Sequence, residues 1–170
     1  ILSRCEGVGV WVWQVRVGQP LTPTLQHAYP LRRAVFSPDG ERVATMTRVA
    51  RIVNFIRLWD VRRGVQVLPP FGSGWEDVQF SRDGRLVLAV DTHGLATNPG
   101  ITTVWDASTG KVIGGPFYQT NGVLSARFSP DGQLVVTAGN GDRVSLWQIA
   151  TGDRVREFPH EGLAGFAQFS

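Results

Sequence analysis

Short apolar runs alternate with turn-forming residues along the whole chain. In one unit of this pattern the β-prone runs cover residues 31–36, 41–45, 56–61 and 65–68. Short runs rich in valine, isoleucine and leucine, separated by glycine-containing turns, predict β-strands. No long stretch shows the apolar spacing of an amphipathic helix. The chain is therefore predicted to be all-β.

Two turn motifs indicate how these strands are joined. Ser-Pro-Asp-Gly follows Phe36 and fits a type I turn, with proline second and glycine fourth. The pair Asn140-Gly141 separates the apolar runs 134–138 and 143–149. Such a pair predicts a type I′ hairpin, in which both central residues take a positive φ. Both motifs favour antiparallel neighbours.

The pattern repeats with a period of 41 to 48 residues. Tryptophan recurs at intervals of 46, 46 and 42 residues, each followed five residues later by glycine, at Trp13, Trp59, Trp105 and Trp147. Phe-Ser pairs recur at 36, 80, 128 and 169. A period of this length is typical of repeat architectures. We place the units at 1–30 (incomplete), 31–74, 75–122 and 123–163, with 164–170 as the first strand of a further unit.

Each full unit is predicted to hold four short strands. A unit this small cannot bury its own faces, so neighbouring units must stack, and a radial arrangement leaves few open edges. The first unit supplies three strands and residues 165–170 supply one, which could close the first unit as a clasp. We prefer a partial array, completed by further units or a second copy, to a self-closed ring. An open array exposes apolar faces and favours self-association.

Several phrases resemble the WD-repeat β-propeller family, in particular its bacterial members. They are Leu58-Trp59-Asp60, Val104-Trp105-Asp106, the Asp-Gly turns, and the pairs Thr109-Gly110 and Thr151-Gly152. The resemblance covers nearly the whole chain. It implies a propeller of four-stranded antiparallel blades, about four of them here, and a role in binding proteins.

The chain also departs from the family pattern. His27 and His160 occupy the family's histidine position, but Phe71 and Gln119 replace it in the middle units. Glutamine also replaces aspartate after the first and last repeat tryptophans. The resemblance therefore implies that the family's buried polar network survives only in some blades. Repeat residues expected to be structural, with the two histidines as buried hydrogen-bond partners, are Trp13, Trp59, Trp105, Trp147, Asp60, Asp106, His27 and His160.

Composition excludes several classes of protein. The chain is 42% hydrophobic and 18% charged, which is globular, and its net charge of +3 is modest. A lone cysteine, Cys5, cannot form an internal disulfide, and the three histidines share no ligand spacing. No apolar run approaches the roughly 20 residues of a membrane span. We expect no metal, no cofactor and no membrane insertion, and a cytoplasmic location by default.

Loop lengths suggest which edge of the array binds a partner. The Asp-Gly turns and the Trp-to-Gly turns keep a constant length, whereas the connections at the opposite rim vary, and the longest, 91–100, contains His93. Insertions on one face of a repeat array usually mark its binding side. The resemblance implies that residues just before each Phe-Ser pair also reach that rim. Candidate partner-binding residues are Arg32, Arg33, Trp75, Glu76, Asp77, His93 and Leu124.

Some of these candidates have a simpler interpretation. The simpler interpretation of Trp75 is an aromatic residue that packs within the repeat array. The simpler interpretation of His93 is a solvated loop residue. Asp39, Asp83 and Asp131 are explained by their turn positions rather than by a metal. If the rim binds a partner, alanine at both Arg32 and Trp75 is expected to weaken binding.

The leading hypothesis is a non-catalytic module that binds a peptide or partner domain on the variable rim. No nucleophile elbow, phosphate loop or acid–base pair appears, so we do not expect an enzyme. The first alternative is a nucleic-acid or polyanion binder, because residues 32–63 hold eight arginines against three acidic residues. A solvated basic edge is the simpler interpretation, because stacking aromatics are not interleaved. The second alternative is a regulatory domain of a larger enzyme such as a bacterial serine/threonine kinase, although no kinase motif occurs here.

Overall fold

The structure, a computed structural model, describes residues 2–4, 9–47, 55–72, 74–91 and 99–170. These residues form β-strands, turns and loops, as predicted, and contain no α-helix. Within that part of the chain nothing has the length and apolar character of a membrane-crossing helix. The strands are β1 (Leu2–Arg4), β2 (Gly9–Gln14), β3 (Gln19–Pro20), β4 (Leu25–Gln26), β5 (Leu31–Phe36), β6 (Arg42–Thr47), β7 (Ile56–Asp60), β8 (Val65–Gln66), β9 (Asp77–Phe80), β10 (Leu86–Asp91), β11 (Gly100–Asp106), β12 (Val112–Gln119), β13 (Ser125–Phe128), β14 (Leu134–Ala138), β15 (Arg143–Gln148) and β16 (Arg154–Pro159).

The described strands form four antiparallel sheets of four strands each, in chain order. We call them sheet 1 (β1–β4), sheet 2 (β5–β8), sheet 3 (β9–β12) and sheet 4 (β13–β16). In sheets 2 to 4 every strand pairs with the next one along the chain. This order follows from the short turns, because a tight turn can join only antiparallel neighbours.

Sheet 1 and the last residues differ from the predicted strand count. Both β3 and β4 pair with β2, so the outer edge of sheet 1 is divided into two short segments. Residues 165–170, predicted to be a strand, are not one in the structure. A strand is defined by ladder hydrogen bonds to a neighbour, and among the described residues this segment makes none.

The two families of constant turns are confirmed. Gly40, Gly84 and Gly132 take φ values of 71–72°, and each N–H donates at 2.9 Å to the carbonyl of the serine three residues earlier. The glycine five residues after each repeat tryptophan also has a positive φ. Its N–H donates to the carbonyl of the residue four positions earlier. Glycine is required because this left-handed conformation strains residues with a Cβ.

The prediction for Asn140-Gly141 was wrong in detail. The β14–β15 hairpin exists, with Ala138 opposite Val144, but neither Asn140 nor Gly141 has a positive φ. Residues 139–142 separate the two strands, so the connection is longer than the two-residue loop that a type I′ turn closes. The pair with two positive φ values is Asn121-Gly122, at 65° and 81°.

The chain divides into two compact units, Ile1–Val78 and Gln79–Ser170, with the boundary inside β9. In the first unit Val10, Val12 and Leu25 of sheet 1 pack on Leu31, Val43, Trp59 and Val61. In the second, residues of sheet 3 pack on sheet 4 in the same way, forming a cluster of Leu88, Val90, Val104, Phe117, Val123, Ala126, Val135, Trp147 and Ile149. Successive sheets therefore bury one another's faces within each unit.

Candidate partner-binding site

Two ion pairs bring four of the candidate residues together in the first unit. The guanidinium of Arg32 pairs with the carboxylate of Glu76, and its Nε donates to the Glu76 carbonyl at 3.2 Å. Arg33 Nε lies 2.6 Å from Asp77 Oδ1. The arginine side chains are 32% and 48% exposed. The pairs therefore form an accessible, charged feature.

A β-bulge accounts for the presence of two adjacent arginines at this site. The register of β5 and β6 shifts by one residue between Leu31, opposite Thr47, and Arg33, opposite Met46. Successive side chains on a regular strand point to opposite faces. A bulge inserts one extra residue into the strand and changes the direction of the side chains beside it. Arg32 and Arg33 can thus reach acidic residues that are themselves adjacent.

A pocket of about 310 Å³ lies beside these arginines. Its walls include Val10 and Leu31, which are 1% and 7% exposed, so its apolar part belongs to the core of the first unit. The residues that line it are Leu2, Ser3, Val10, Leu31, Arg32, Arg33 and Ala34. A concave apolar surface with charged groups at its margin is the usual form of a recognition site.

The remaining candidate residues are Trp75, Leu124 and His93. Trp75 is only 8% exposed, so its ring packs inside the protein rather than presenting itself to a partner. The expectation that Trp75→Ala reports on a rim contact is therefore corrected, since that change acts through packing. Leu124 is 43% exposed and belongs to the second unit. His93 lies outside the described residues.

Three of the four repeat tryptophans donate to hydroxyl groups on the neighbouring strand. Trp13 Nε1 donates to Ser3 at 2.6 Å, Trp59 Nε1 to Thr45 at 2.8 Å and Trp147 Nε1 to Thr137 at 2.9 Å. In sheet 3 the equivalent position is occupied by Ala89, which lies opposite Thr103 on β11. The side chain of Ala89 carries no hydroxyl. Trp105 itself is 4% exposed and packs in the core.

Gln119 completes one of these networks where a histidine was expected. The Thr137 hydroxyl donates to Gln119 Oε1, and Gln119 Nε2 donates to the Arg143 carbonyl at 2.9 Å. A carboxamide offers both a donor and an acceptor, as a neutral imidazole does. The polar network therefore persists in sheet 4 despite the missing histidine, and sequence reasoning undervalued this substitution.

The two histidines at the family position have different environments. His27 is 5% exposed and its ring lies edge-on to Trp59, 5.1 Å between centroids. Within the described residues neither ring nitrogen has a hydrogen-bond partner, contrary to the expectation of a hydrogen-bonded histidine. His160 is exposed, contrary to the expectation of burial. Burial of the His27 ring, reinforced by the positive charge of the Arg57 guanidinium, lowers the pKa of His27 to about 4.

We expect the first unit to lose stability between pH 6.5 and about 4. The folded chain keeps His27 neutral down to about pH 4, whereas the unfolded chain protonates it near its ordinary pKa of 6.5. Between these values the unfolded state binds more protons, so acid favours unfolding. Urea unfolding midpoints measured across this range should fall with pH.

The matched variant is His27→Phe, which keeps a ring against Trp59 but cannot bind a proton. Its midpoint should fall less steeply over the same interval. Equal slopes for the two proteins would contradict the assignment of this dependence to His27.

The repeat aspartates are occupied by turn contacts. The serine hydroxyls of the Ser-x-Asp-Gly turns donate to Asp39, Asp83 and Asp131, which lowers the pKa of these carboxyls. Asp106 accepts from the Ser108 hydroxyl and from nearby N–H groups, and its pKa falls to about 2. Asp60 accepts two N–H bonds at 2.8 Å. The described residues contain no cluster suited to a metal ion.

Three of the eight arginines of residues 32–63 are held in ion pairs. Arg48 and Arg51 lie outside the described residues. Arg32, Arg33 and Arg62 form ion pairs, and Arg57 donates to the Thr47 hydroxyl at 3.0 Å. The ion pairs of Arg32, Arg33 and Arg62 reduce the local positive charge that would attract a polyanion.

Sequential four-stranded antiparallel sheets, packed face to face and joined by constant turns, define a β-propeller repeat protein. The family model for "WD domain, G-beta repeat" matches residues 108–148. This match identifies residues 108–148 as a WD repeat, and relatives that carry WD repeats show that the chain is similar to WD-repeat proteins.

Similar proteins and structures agree with this assignment. The chain is 26% identical to the periodic tryptophan protein 2 homolog of Schizosaccharomyces pombe, over 92% of the chain and 20% of that protein. It is 30% identical to WD repeat-containing protein 82 of Drosophila melanogaster, over 56% of the chain and 30% of that protein. The computationally designed Ika8 protein matches with a TM-score of 0.70 and 20% identity, over 96% of this chain and 49% of that one. The chain thus spans less than a third of the length of these two natural relatives.

Proposed function

We propose that the chain is a non-catalytic protein-interaction module that binds an extended peptide or partner domain at the pocket beside Arg32 and Arg33. The observation that carries this proposal is the pair of accessible ion pairs at the margin of an apolar concavity. The WD repeat at residues 108–148 and the similarity to WD-repeat proteins support a role in binding proteins.

The chemistry of the pocket indicates how such a partner would be held. An aliphatic or small aromatic side chain would enter beside Val10 and Leu31, where apolar contact is available. Buried anchors of this kind usually supply most of the binding energy. The charged margin, with both signs present, would select the partner's orientation.

We expect alanine at both Arg32 and Arg33 to weaken peptide binding about tenfold, because an interfacial arginine is often an anchor. The probe is a set of phage-displayed random peptides selected on the chain and then titrated as synthetic peptides by fluorescence polarisation. These arginines are partly exposed, so the double variant should fold.

The control is Arg154→Ala, which removes another exposed arginine paired with a glutamate, Glu157. Its affinity for the selected peptides should equal that of the unchanged chain. Selected peptides that bind the Arg32/Arg33 variant as tightly as the parent would place the site elsewhere and overturn the proposal.

A further inference from the structure

Two Asn-Gly pairs lie in neighbouring loops of the second unit. Asn140-Gly141 belongs to the connection between β14 and β15, and Asn121-Gly122 belongs to the connection between β12 and β13. A Cβ built on Gly141 would lie 3.5 Å from Asn121 Nδ2, so the two loops are adjacent. Both asparagines are exposed. The pairs share one dipeptide and one solvent environment, so a difference in their chemistry comes from the backbone.

An asparagine that precedes glycine can lose its side-chain amide without an enzyme. The backbone nitrogen of the glycine, once deprotonated by solvent base, attacks Cγ of the asparagine. A carbon–nitrogen bond forms, the bond from Cγ to Nδ2 breaks, and the leaving nitrogen departs as ammonia with a proton from water. Water then opens the five-membered succinimide at either carbonyl carbon, which gives aspartate or isoaspartate without oxidation or reduction. Glycine favours this reaction because it has no Cβ and its backbone turns freely.

The backbone of Gly122 is enclosed by other backbone. A Cβ added to Gly139 would clash with the Gly122 carbonyl oxygen, and one added to Gly100 would lie 2.5 Å from the Gly122 carbonyl carbon. Gly122 is buried, and the pair Asn121-Gly122 has φ values of 65° and 81°. Ring closure must rotate the peptide unit between Asn121 and Gly122. That rotation would break these close contacts, and a close-packed interior resists such movement.

The backbone of Asn140-Gly141 is less constrained. Neither residue has a positive φ, and the pair lies between the ends of β14 and β15 rather than within either strand. Among the described residues no backbone carbonyl accepts the Gly141 N–H. The contacts that a Cβ on Gly141 would meet are ordinary van der Waals distances. The Gly141 nitrogen can therefore approach Asn140 Cγ without breaking a backbone hydrogen bond.

We propose that Asn140 is a site of spontaneous deamidation in the folded protein, whereas Asn121 is protected by the packing of Gly122. The product carries a new carboxylate close in sequence to Asp142, whose own carboxylate lies 3.6 Å from Arg143 Nε. When the succinimide opens to isoaspartate, the main chain of the loop also gains a methylene group. The reaction concerns a loop of the second unit and is independent of the pocket beside Arg32 and Arg33.

Two backbone hydrogen bonds transmit this change to the segment that follows β16. The Gly141 carbonyl accepts the Ala164 N–H at 3.0 Å, and the Asp142 carbonyl accepts the His160 N–H at 2.6 Å. An isoaspartate directly before these acceptors displaces them, because it lengthens the main chain. Hydrogen bonds weaken steeply when their geometry is lost. Deamidation should therefore loosen the attachment of this segment to the loop.

Peptide mapping by mass spectrometry measures the two sites separately in one sample. Asn121 lies in the tryptic peptide 112–127 and Asn140 in the tryptic peptide 128–143, since trypsin cleaves after lysine and arginine. The folded protein is incubated in mildly alkaline buffer, and the mass increase from the exchange of NH2 for OH is followed in each peptide. Peptide 128–143 should react at least about tenfold faster, because the rate falls exponentially as backbone contacts raise the barrier.

Two controls separate the effect of the fold from that of the dipeptide. In the chain unfolded with guanidinium chloride, both peptides should deamidate at similar rates, because the contacts around Gly122 are lost. Gly141→Ala places a Cβ beside the attacking nitrogen and should slow the reaction of Asn140 about tenfold in the folded protein. The rate at Asn121 should be unchanged in this variant.

Amide hydrogen exchange tests the consequence for the segment that follows β16. In protein aged until peptide 128–143 is deamidated, the amides of His160 and Ala164 should exchange faster than in fresh protein. The Gly64 amide, which donates to the Asp60 carbonyl in the first unit, is the reference and should keep its rate.

Three results would overturn the assignment of Asn140 as the reactive site. They are equal rates for the two peptides in the folded protein, a faster reaction in peptide 112–127, and no reaction of either peptide in the folded protein while the unfolded chain deamidates. Unchanged exchange at His160 and Ala164 in the aged protein would overturn the loosening of the segment.

Discussion

Alanine at Gly139 should destabilise the second unit by about 3 kcal/mol or more, since inserting an atom into a closed site forces the backbone to move. A Cβ at this position would lie 1.9 Å from the carbonyl oxygen of Gly122. That oxygen belongs to backbone, so it cannot rotate away as a side chain would. A Cβ at Gly100 would likewise lie 2.2 Å from the Val123 backbone N.

The loss of stability expected for Gly139→Ala is increased by the residues that lie beside the contact with the Gly122 carbonyl. The added Cβ of residue 139 would also come within 3.5 Å of Gln119 Nε2. Gln119 holds the buried hydroxyl of Thr137, which in turn accepts the Trp147 indole N–H. Displacement of the Gly122 carbonyl would therefore disturb buried hydrogen bonds as well as packing.

Gly141→Ala is the matched control, because it lies in the same loop and does not have a positive φ. Its nearest contact would be Asn121 Nδ2 at 3.5 Å, an ordinary van der Waals distance. We expect a change within about 0.5 kcal/mol in the free energy of unfolding by urea. Similar losses for the two variants would mean that the close approach of Gly139 and Gly122 is not a constraint on stability.

Phe117→Ala should cost about 3–5 kcal/mol, the range for removing a fully buried aromatic ring. Phe117 has 0% exposure and its ring is stacked on that of Trp147, with centroids 5.5 Å apart. These two rings come from sheets 3 and 4, so the cavity would open between the packed faces of the second unit. The loss should appear as a lower urea midpoint.

The neighbouring Tyr118 provides the control for this experiment. It is on the same strand but 54% exposed, so Tyr118→Ala should change the free energy of unfolding by no more than about 0.5 kcal/mol. A small effect of Phe117→Ala, close to that of Tyr118→Ala, would contradict the assignment of Phe117 to the core.

The candidate site was only partly accessible to sequence reasoning. Arg32, Arg33, Glu76 and Asp77 were placed on one rim because they precede the Phe-Ser pairs, and the structure joins them in two ion pairs. The bulge at the start of β5 and the pocket beside it had no sequence signal. For Trp75 the sequence left both a binding and a packing role open, and its burial favours packing, because neighbouring elements decide whether a loop tryptophan points inward or outward.

The sequence by itself determined the repeat, the strands and the constant turns. These depend on local chemistry, since alternating apolar residues define strands and a glycine is needed wherever the turn imposes a positive φ. Only the tertiary structure decided which polar groups meet, how Gln119 replaces a histidine, that Asn140-Gly141 is not a type I′ turn, and where the pocket beside Arg32 and Arg33 lies. Such contacts join residues far apart in the chain, and their geometry depends on the packing of whole sheets rather than on any local pattern.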